Sequence, residues 1–412
     1  MKDYRAFLSV IRSKNFLCLW GSQILSQLTV NLINFVIILR VFERTRSTVA
    51  VSLVWIFYAI PVIMIGPFAG TLIDLWDKRR ILILTTLGEA VVVLAYLAVW
   101  DKVWPIYAII LLFSLINQFY FPTEGATLPS TVVRKTLPLA NSLFLFTVYG
   151  TLLIGYSLAG PLIRLVGREV PFLLGAVFLL LASYSVSQLP RAKKSKKEVN
   201  FQDFFDRFKE GYVFIRQEPR VLLPLILLAL VQMIISLLSV LAPSFTTETL
   251  RANLLDAGVI LILPVGLGAV GAMPLVIRLM RQGVRKKHLI SAGLFGGGGA
   301  ILLLALVIYR FTAIKIALAS LIMTGLGASL ITLLVPVQTL IQEITPAVLR
   351  GRVFGVLGFT VTLASILPVL FAASVADILG VNVILTIIAL LILAVGFYSR
   401  REFYEIYTHH RT

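Results

Sequence analysis

Long apolar runs separated by short polar breaks follow one another along the whole chain, and the runs are too long to be strands. Crossing the hydrocarbon core of a bilayer takes ~20 apolar residues in a helix. Twelve stretches meet that requirement: residues 16–40, 49–73, 81–100, 105–130, 139–163, 170–189, 220–247, 257–280, 288–309, 313–342, 351–377 and 380–399. The pattern predicts an all-α integral membrane protein. One break is longer than the rest. After Pro190, the run Arg191, Lys193, Lys194, Lys196 and Lys197 is too polar to span. Beyond it Phe201, Phe204, Phe205, Phe208, Tyr212 and Ile215 recur at helical spacing among Asp203, Asp206, Arg207, Lys209 and Glu210, as in a helix lying on a membrane surface. This linker, residues 190–219, separates a six-helix half at 1–189 from a second six-helix half at 220–412. The halves share landmarks at nearly one offset, Pro122-Thr123-Glu124 with Pro336-Val337-Gln338 and Gly167 with Gly380, as a duplication would leave.

Composition narrows the class further. Of 412 residues, 59% are hydrophobic and 14% charged, with a mean hydropathy of +0.96, which excludes a soluble globule with an ordinary surface. A net charge of +18 invites a nucleic-acid partner. With the N-terminus inside, however, most of the 37 Lys and Arg fall in cytoplasmic segments, so the positive-inside rule places both termini in the cytoplasm. Anionic headgroups of the inner leaflet are then the expected partners of the charge, and no basic soluble domain is left over for nucleic acid. Cys18 is the single cysteine, and His288, His409 and His410 lie at a loop edge and in the tail, so no disulfide, metal site or cofactor is expected. The basic segment Met1 to Lys14 leads into a span too long for a signal peptide, and the first helix is expected to stay attached.

Between the second and third spans stands Pro67-Phe68-Ala69-Gly70-Thr71-Leu72-Ile73-Asp74-Leu75-Trp76-Asp77-Lys78-Arg79-Arg80. Gly70 permits close helix approach, and Asp74 meets three cations at the bilayer rim, where an unpaired charge is costly. Gly70, Leu72, Asp74, Lys78, Arg79 and Arg80 resemble in type and order the signature between helices 2 and 3 of the major facilitator superfamily. Asp77 stands where that signature usually has a second glycine. The resemblance implies twelve transmembrane helices in two six-helix halves working by alternating access. It also implies that Asp74 approaches the N-terminal end of helix 11, at Gly351 to Gly355, as a conformational gate favoured by the helix dipole.

Polar side chains inside the spans are the candidate binding groups. Gln23, Gln27, Asn31 and Asn34 recur every three or four residues and give the first helix one polar face, which is expected against other helices or a wet cavity. Glu89 lies eight residues past Ile81, ~12 Å into the third span at 1.5 Å per residue. It is either a structural acid or a proton site. Glu124, with Gln118 upstream, is either a proton site or counter-ion in the fourth span or an edge residue paired with Arg134 or Lys135. Gln232 in the seventh span and Gln338 in the tenth are further candidates. The stretches Asn15 to Gln27, Phe121 to Pro129, Leu139 to Leu143 and Arg350 to Gly355 resemble the macrolide-efflux-like branch of the superfamily, which implies that helices 1, 4, 7 and 10 line a central cavity. The chain departs from related patterns in three places. Thr29 and Val30 replace a Gly-Asp pair, the fourth span lacks an arginine motif, and Leu162 to Leu165 replace the glycine pair after Gly160-Pro161.

These readings point to a monomeric secondary transporter of the cell membrane, exporting amphipathic or hydrophobic small molecules against protons. Translocation of lysophospholipids or other lipids is the alternative. A polytopic membrane enzyme is disfavoured because the acids are scattered and the histidines sit away from any span centre. A nucleotide-driven pump is disfavoured as well, since no Gly-x-x-x-x-Gly-Lys-Ser/Thr occurs.

Overall fold

The computed structural model describes residues 9–73, 76–190, 209–210, 212–306, 308, 311, 314–346 and 350–408. Among them every regular element is a helix. In chain order these are α1 (Lys14–Thr45), α2 (Thr48–Met64), α3 (Lys78–Val99), α4 (Val103–Thr127), α5 (Leu137–Val166) and α6 (Val170–Ser187), then α7 (Pro219–Ser244), α8 (Leu263–Arg281), α9 (Lys286–Leu306), α10 (Lys315–Ile344), α11 (Arg350–Leu379) and α12 (Val381–Thr408). Ten helical stretches of the described residues are long and apolar enough to cross a membrane; Thr48–Met64 and Ile366–Leu379 are shorter apolar helices. Most of the predicted surface helix beyond Pro190 lies outside the described residues.

Local chemistry explains the breaks. α2 stops at Met64 and resumes as Gly66–Ile73; Pro67 has no N–H to give the carbonyl one turn earlier, so the helical ladder is broken there. α3 begins at an N-cap: the Asp77 carboxylate accepts the Arg79 backbone N–H at 3.1 Å, satisfying one of the orphan donors of the first turn. At the end of α5 Gly167 takes φ +92° and at the end of α11 Gly380 takes φ +87°, the left-handed region that suits glycine after a helix. The repeat seen in sequence thus recurs as one backbone conformation. Arg46, after α1, and Arg251, after α7, share a φ of 51° as well.

The chain divides into two compact units, Met1–Arg44 with Leu53–Phe204, and Thr45–Ser52 with Phe205–Thr412. In the first unit α3 packs along α4 and α6. α5 lies close on α1, since a Cβ added to Gly155 would stand 2.9 Å from the backbone nitrogen of Leu32. Arg40, 5% exposed, ties the end of α1 to the turn after α3. Its Nε donates to the Trp100 carbonyl at 3.0 Å, and its guanidinium pairs with Glu43 at 2.8 Å and Asp101 at 2.9 Å.

In the second unit α9 packs on α10 and α12, and α8 packs on α10. The α8–α10 crossing is built on two glycines: a Cβ on Gly268 would fall 1.8 Å from the Thr324 carbonyl oxygen, and one on Gly327 would fall 1.8 Å from that of Val265. Lys286 at the start of α9 is paired with Glu343 near the end of α10. The basic turn after α8 therefore finds its acid on another helix. The seventh and eighth helical stretches each carry a π-helical turn, Phe245–Thr249 and Gly258–Ile262, beside the loop that joins them.

Candidate functional site

Within the first unit, α4 gathers polar groups from three other helices. Ser114, Asn117, Tyr120 and Glu124 are spaced three, three and four residues apart, which keeps them on one side of the helix. From α2, the Tyr58 carbonyl accepts the Ser114 hydroxyl at 2.6 Å, and the Tyr58 hydroxyl donates to Asn117 Oδ1 at 3.4 Å. From α3, Glu89 Oε1 accepts Asn117 Nδ2 at 3.0 Å. From α1, the Ser22 hydroxyl stands 3.3 Å from the Tyr120 hydroxyl, which donates to Glu124 Oε1 at 3.2 Å. With that proton committed to Glu124, the Ser22–Tyr120 bond runs from Ser22.

Both acids are withdrawn from solvent, Glu89 at 0% and Glu124 at 2% exposure. No described cation lies within ion-pair distance of either carboxylate, Arg134 and Lys135 included. Burial of an unpaired charge costs several kcal/mol or more, and taking up a proton removes that charge. The Asn117 amide holds Glu89, and the hydroxyl of Tyr120, itself bonded to Ser22, holds Glu124.

The amide face of α1 divides. Gln23 donates from Nε2 to the Phe144 carbonyl at 3.4 Å, and Asn31 donates from Nδ2 to the Thr151 hydroxyl at 3.3 Å, so both turn to α5. Gln27 and Asn34 are half-buried. Gln118 donates to the Ser114 carbonyl at 3.1 Å, with its Oε1 beside Gly66. In the second unit Gln232 of α7 is exposed and Gln338 of α10 half-buried. Of the gate residues, Lys78 donates to the Ala126 carbonyl at 3.4 Å and Arg80 is exposed. Gly70 lies in the continuation of α2, and Gly351 and Gly355 lie in the first turns of α11. Asp74 falls outside the described residues, and with it the predicted approach to α11. The described residues hold no cluster of metal-ligating side chains.

Sequence reasoning passed over Tyr58, Asn117, Tyr120 and Ser22 as partners of the acids. The spacing of Asn117, Tyr120 and Glu124 was a legible signal. The contributions of Ser22 and Tyr58 come from other helices and leave no local mark.

Ten helices among the described residues, long and apolar enough to span a bilayer, define a multi-pass membrane protein. The chain belongs to the Major Facilitator Superfamily, whose profile matches residues 19–369. Among curated relatives, an uncharacterized MFS-type transporter, YfiS of Bacillus subtilis, is 24% identical over 395 residues, covering 93% of this chain and 92% of the relative. Macrolide efflux protein A of Streptococcus pyogenes is 22% identical over 375 residues, covering 89% and 90%. Among solved structures, a bacterial homologue of the human lysosomal transporter Spinster aligns with a TM-score of 0.74 at 14% identity, over 96% of this chain and 98% of that one. The POT family transporter PepTSo aligns at 0.72 with 14% identity, over 96% and 99%. These likenesses carry the fold. Family and relatives make the chain a secondary transporter rather than a membrane enzyme.

Proposed function

We propose that this transporter exports amphipathic or hydrophobic small molecules in exchange for protons, by alternating access, with Glu124 as the proton carrier. The observation that carries the reading is Glu124 itself, buried in α4 without a described counter-charge and held by Tyr120 and, through it, by Ser22. The likeness to macrolide efflux protein A supports the direction and the class of cargo. Half-buried Gln27 and Asn34 supply hydrogen-bonding handles on α1 of the first unit, which suits a substrate held by shape and a few polar contacts. The protein would reside as a monomer in the cell membrane with both termini cytoplasmic, its basic segments against anionic headgroups.

The test is accumulation of fluorescent amphiphiles by inverted vesicles energised by respiration, with and without a proton uncoupler, in the parent and in Glu124→Gln. Accumulation that both treatments abolish supports the proposal. Accumulation that survives both removes the proton and Glu124 while leaving export. Vesicles that move no dye but do move a labelled lysophospholipid would replace the cargo by a lipid.

A further inference from the structure

A chain of hydroxyls ends on the Glu124 carboxyl. The Tyr120 hydroxyl donates to Oε1 at 3.2 Å, and Ser22 of α1 donates to Tyr120 at 3.3 Å. Both bonds point the same way, toward the acid. One turn beyond Ser22 on the same side of α1, the Ser26 hydroxyl lies near that of Tyr120, yet it has no hydrogen-bond partner among the described residues. Ser22, Ser26 and Tyr120 are all 0% exposed, whereas Glu124 keeps 2%. Buried hydroxyls are ordinarily bonded to protein or to an ordered water, so Ser26 marks a place where a water would be held.

The chain has a direction in depth. The start of α1 and the end of α4 lie at one face of the unit, because the Ser13 hydroxyl donates to the Thr131 carbonyl at 2.7 Å. Glu124 stands in the last turn of α4, about 5 Å from its end at 1.5 Å per residue. Ser26 stands about 18 Å along α1 from its start by the same rise. The hydroxyls therefore run from an acid near that face toward the middle of the span. The charged groups around them keep to the edges. Lys78, at the start of α3, donates to the Ala126 carbonyl at the end of α4, and Arg134 and Lys135 in the turn that follows are exposed. Lys14, Arg40, Glu43 and Arg44 sit at the two ends of α1, and Arg164 sits in the last turn of α5. Glu89 of α3 is bonded to Asn117 and takes no part in the chain of hydroxyls.

We propose that Ser22 and Tyr120 form a relay that delivers protons to Glu124 from the middle of the span, with Ser26 positioning the water that feeds it. The inference rests on the proposed role of Glu124. With both termini cytoplasmic, protons enter the relay from the extracellular side and leave Glu124 for the cytoplasm, the sense that proton-driven export requires. In one delivery a hydronium ion beside Ser22 gives a proton to the Ser22 oxygen, Ser22 gives its own to Tyr120, and Tyr120 gives its own to Glu124 Oε1. Three O–H bonds break and three form. The hydronium becomes water, the carboxylate becomes the acid, and neither hydroxyl keeps a charge. In release the acid's O–H bond breaks and water at the cytoplasmic face takes the proton. At 3.2 and 3.3 Å the two bonds are at resting length, as proton-carrying bonds often are until the reacting state tightens them.

The experiment follows charge movement on a solid-supported membrane after a pH jump, using right-side-out and inverted vesicles from cells that produce the full-length protein. The signal of Glu124→Gln vesicles is subtracted, and no cargo is added. The parent should take up protons from both faces in a Glu124-dependent way. Ser22→Ala is expected to slow uptake from the extracellular face about 100-fold, while uptake from the cytoplasmic face persists and shows that the variant is folded. Ser22→Thr, which returns a hydroxyl, should restore the extracellular rate. Parental uptake from the extracellular face in Ser22→Ala overturns the relay and leaves Glu124 as the carrier. Equal slowing from both faces also overturns it, because Ser22 would then only support the acid. A parent without Glu124-dependent uptake from either face overturns the proton role of Glu124 and the relay with it.

Discussion

Asp377, in the last turn of α11, holds the first turn of α2. Its carboxylate accepts the backbone N–H of Thr48 at 2.6 Å and of Val49 at 3.1 Å, together with the Ser47 hydroxyl at 2.6 Å. The residues lie far apart in sequence, yet Thr45–Ser52 belongs to the same compact unit as α11, whereas the rest of α2 belongs to the other. An acid at the positive end of a helix, bonded to its orphan N–H groups, is favoured by charge and by geometry alike. By the repeat that relates Gly167 to Gly380, Asp377 occupies the place that Arg164 has in the first half. The two halves therefore carry opposite charges at equivalent positions.

Removal of this cap with Asp377→Ala is expected to cost about 1–2 kcal/mol. Thermal unfolding of the purified protein in detergent measures it, with Asp377→Asn losing less because the amide oxygen can still accept one N–H. An unchanged melting temperature in the alanine variant would show that the bonds contribute nothing.

Tyr120→Phe keeps the ring in its buried place and removes only the hydroxyl between Ser22 and Glu124. If the hydroxyl serves the acid, the pH profile of dye transport moves while the protein's stability in thermal unfolding falls by no more than two hydrogen bonds' worth, about 1–3 kcal/mol. A pH profile identical to the parent's assigns Tyr120 a packing role only.

Gly268→Ala places a methyl group against the Thr324 carbonyl, at a position 1.8 Å from its oxygen. The obstacle is backbone and cannot rotate away, so α8 and α10 must move apart at a cost of about 1–3 kcal/mol. Gly271→Ala on the same helix meets open space and serves as the control. Equal melting temperatures for the two variants would contradict the close crossing.

Asp77 stands in the position where the family signature usually has glycine, and it caps α3. Asp77→Gly is expected to cost only a few tenths of a kcal/mol, and Asp77→Ala about 1 kcal/mol. Chemical denaturation of the two variants side by side tests that order, and a glycine variant weaker than the alanine variant reverses the assignment.

Several features were readable before any coordinates. The apolar runs marked the helices, since only a helix satisfies its own backbone over such a length in lipid. Gly167 and Gly380 were legible as landmarks at nearly one offset, while the positive φ they share at two helix ends appeared only in the structure. Asp77 was read as a departure from a signature, and its capping role emerged only with the φ of the helix start and the Arg79 N–H beside it. The polar face of α1 was legible as a face, but not that Gln23 and Asn31 would be bonded to α5 while Gln27 and Asn34 were not.

Sequence alone thus determined the all-helical, membrane-spanning class, which rests on periodicity and composition, and the family, which rests on the motif between the second and third spans. Tertiary structure decided which polar groups meet. Only the packing of α3 and α2 on α4 brings Glu89 and Tyr58 to Asn117, and only that of α1 brings Ser22 to Tyr120, the partner of Glu124. The physical reason is that the rotation of one helix against another is fixed by close contacts such as Gly155 on Leu32, which no spacing within a single helix encodes.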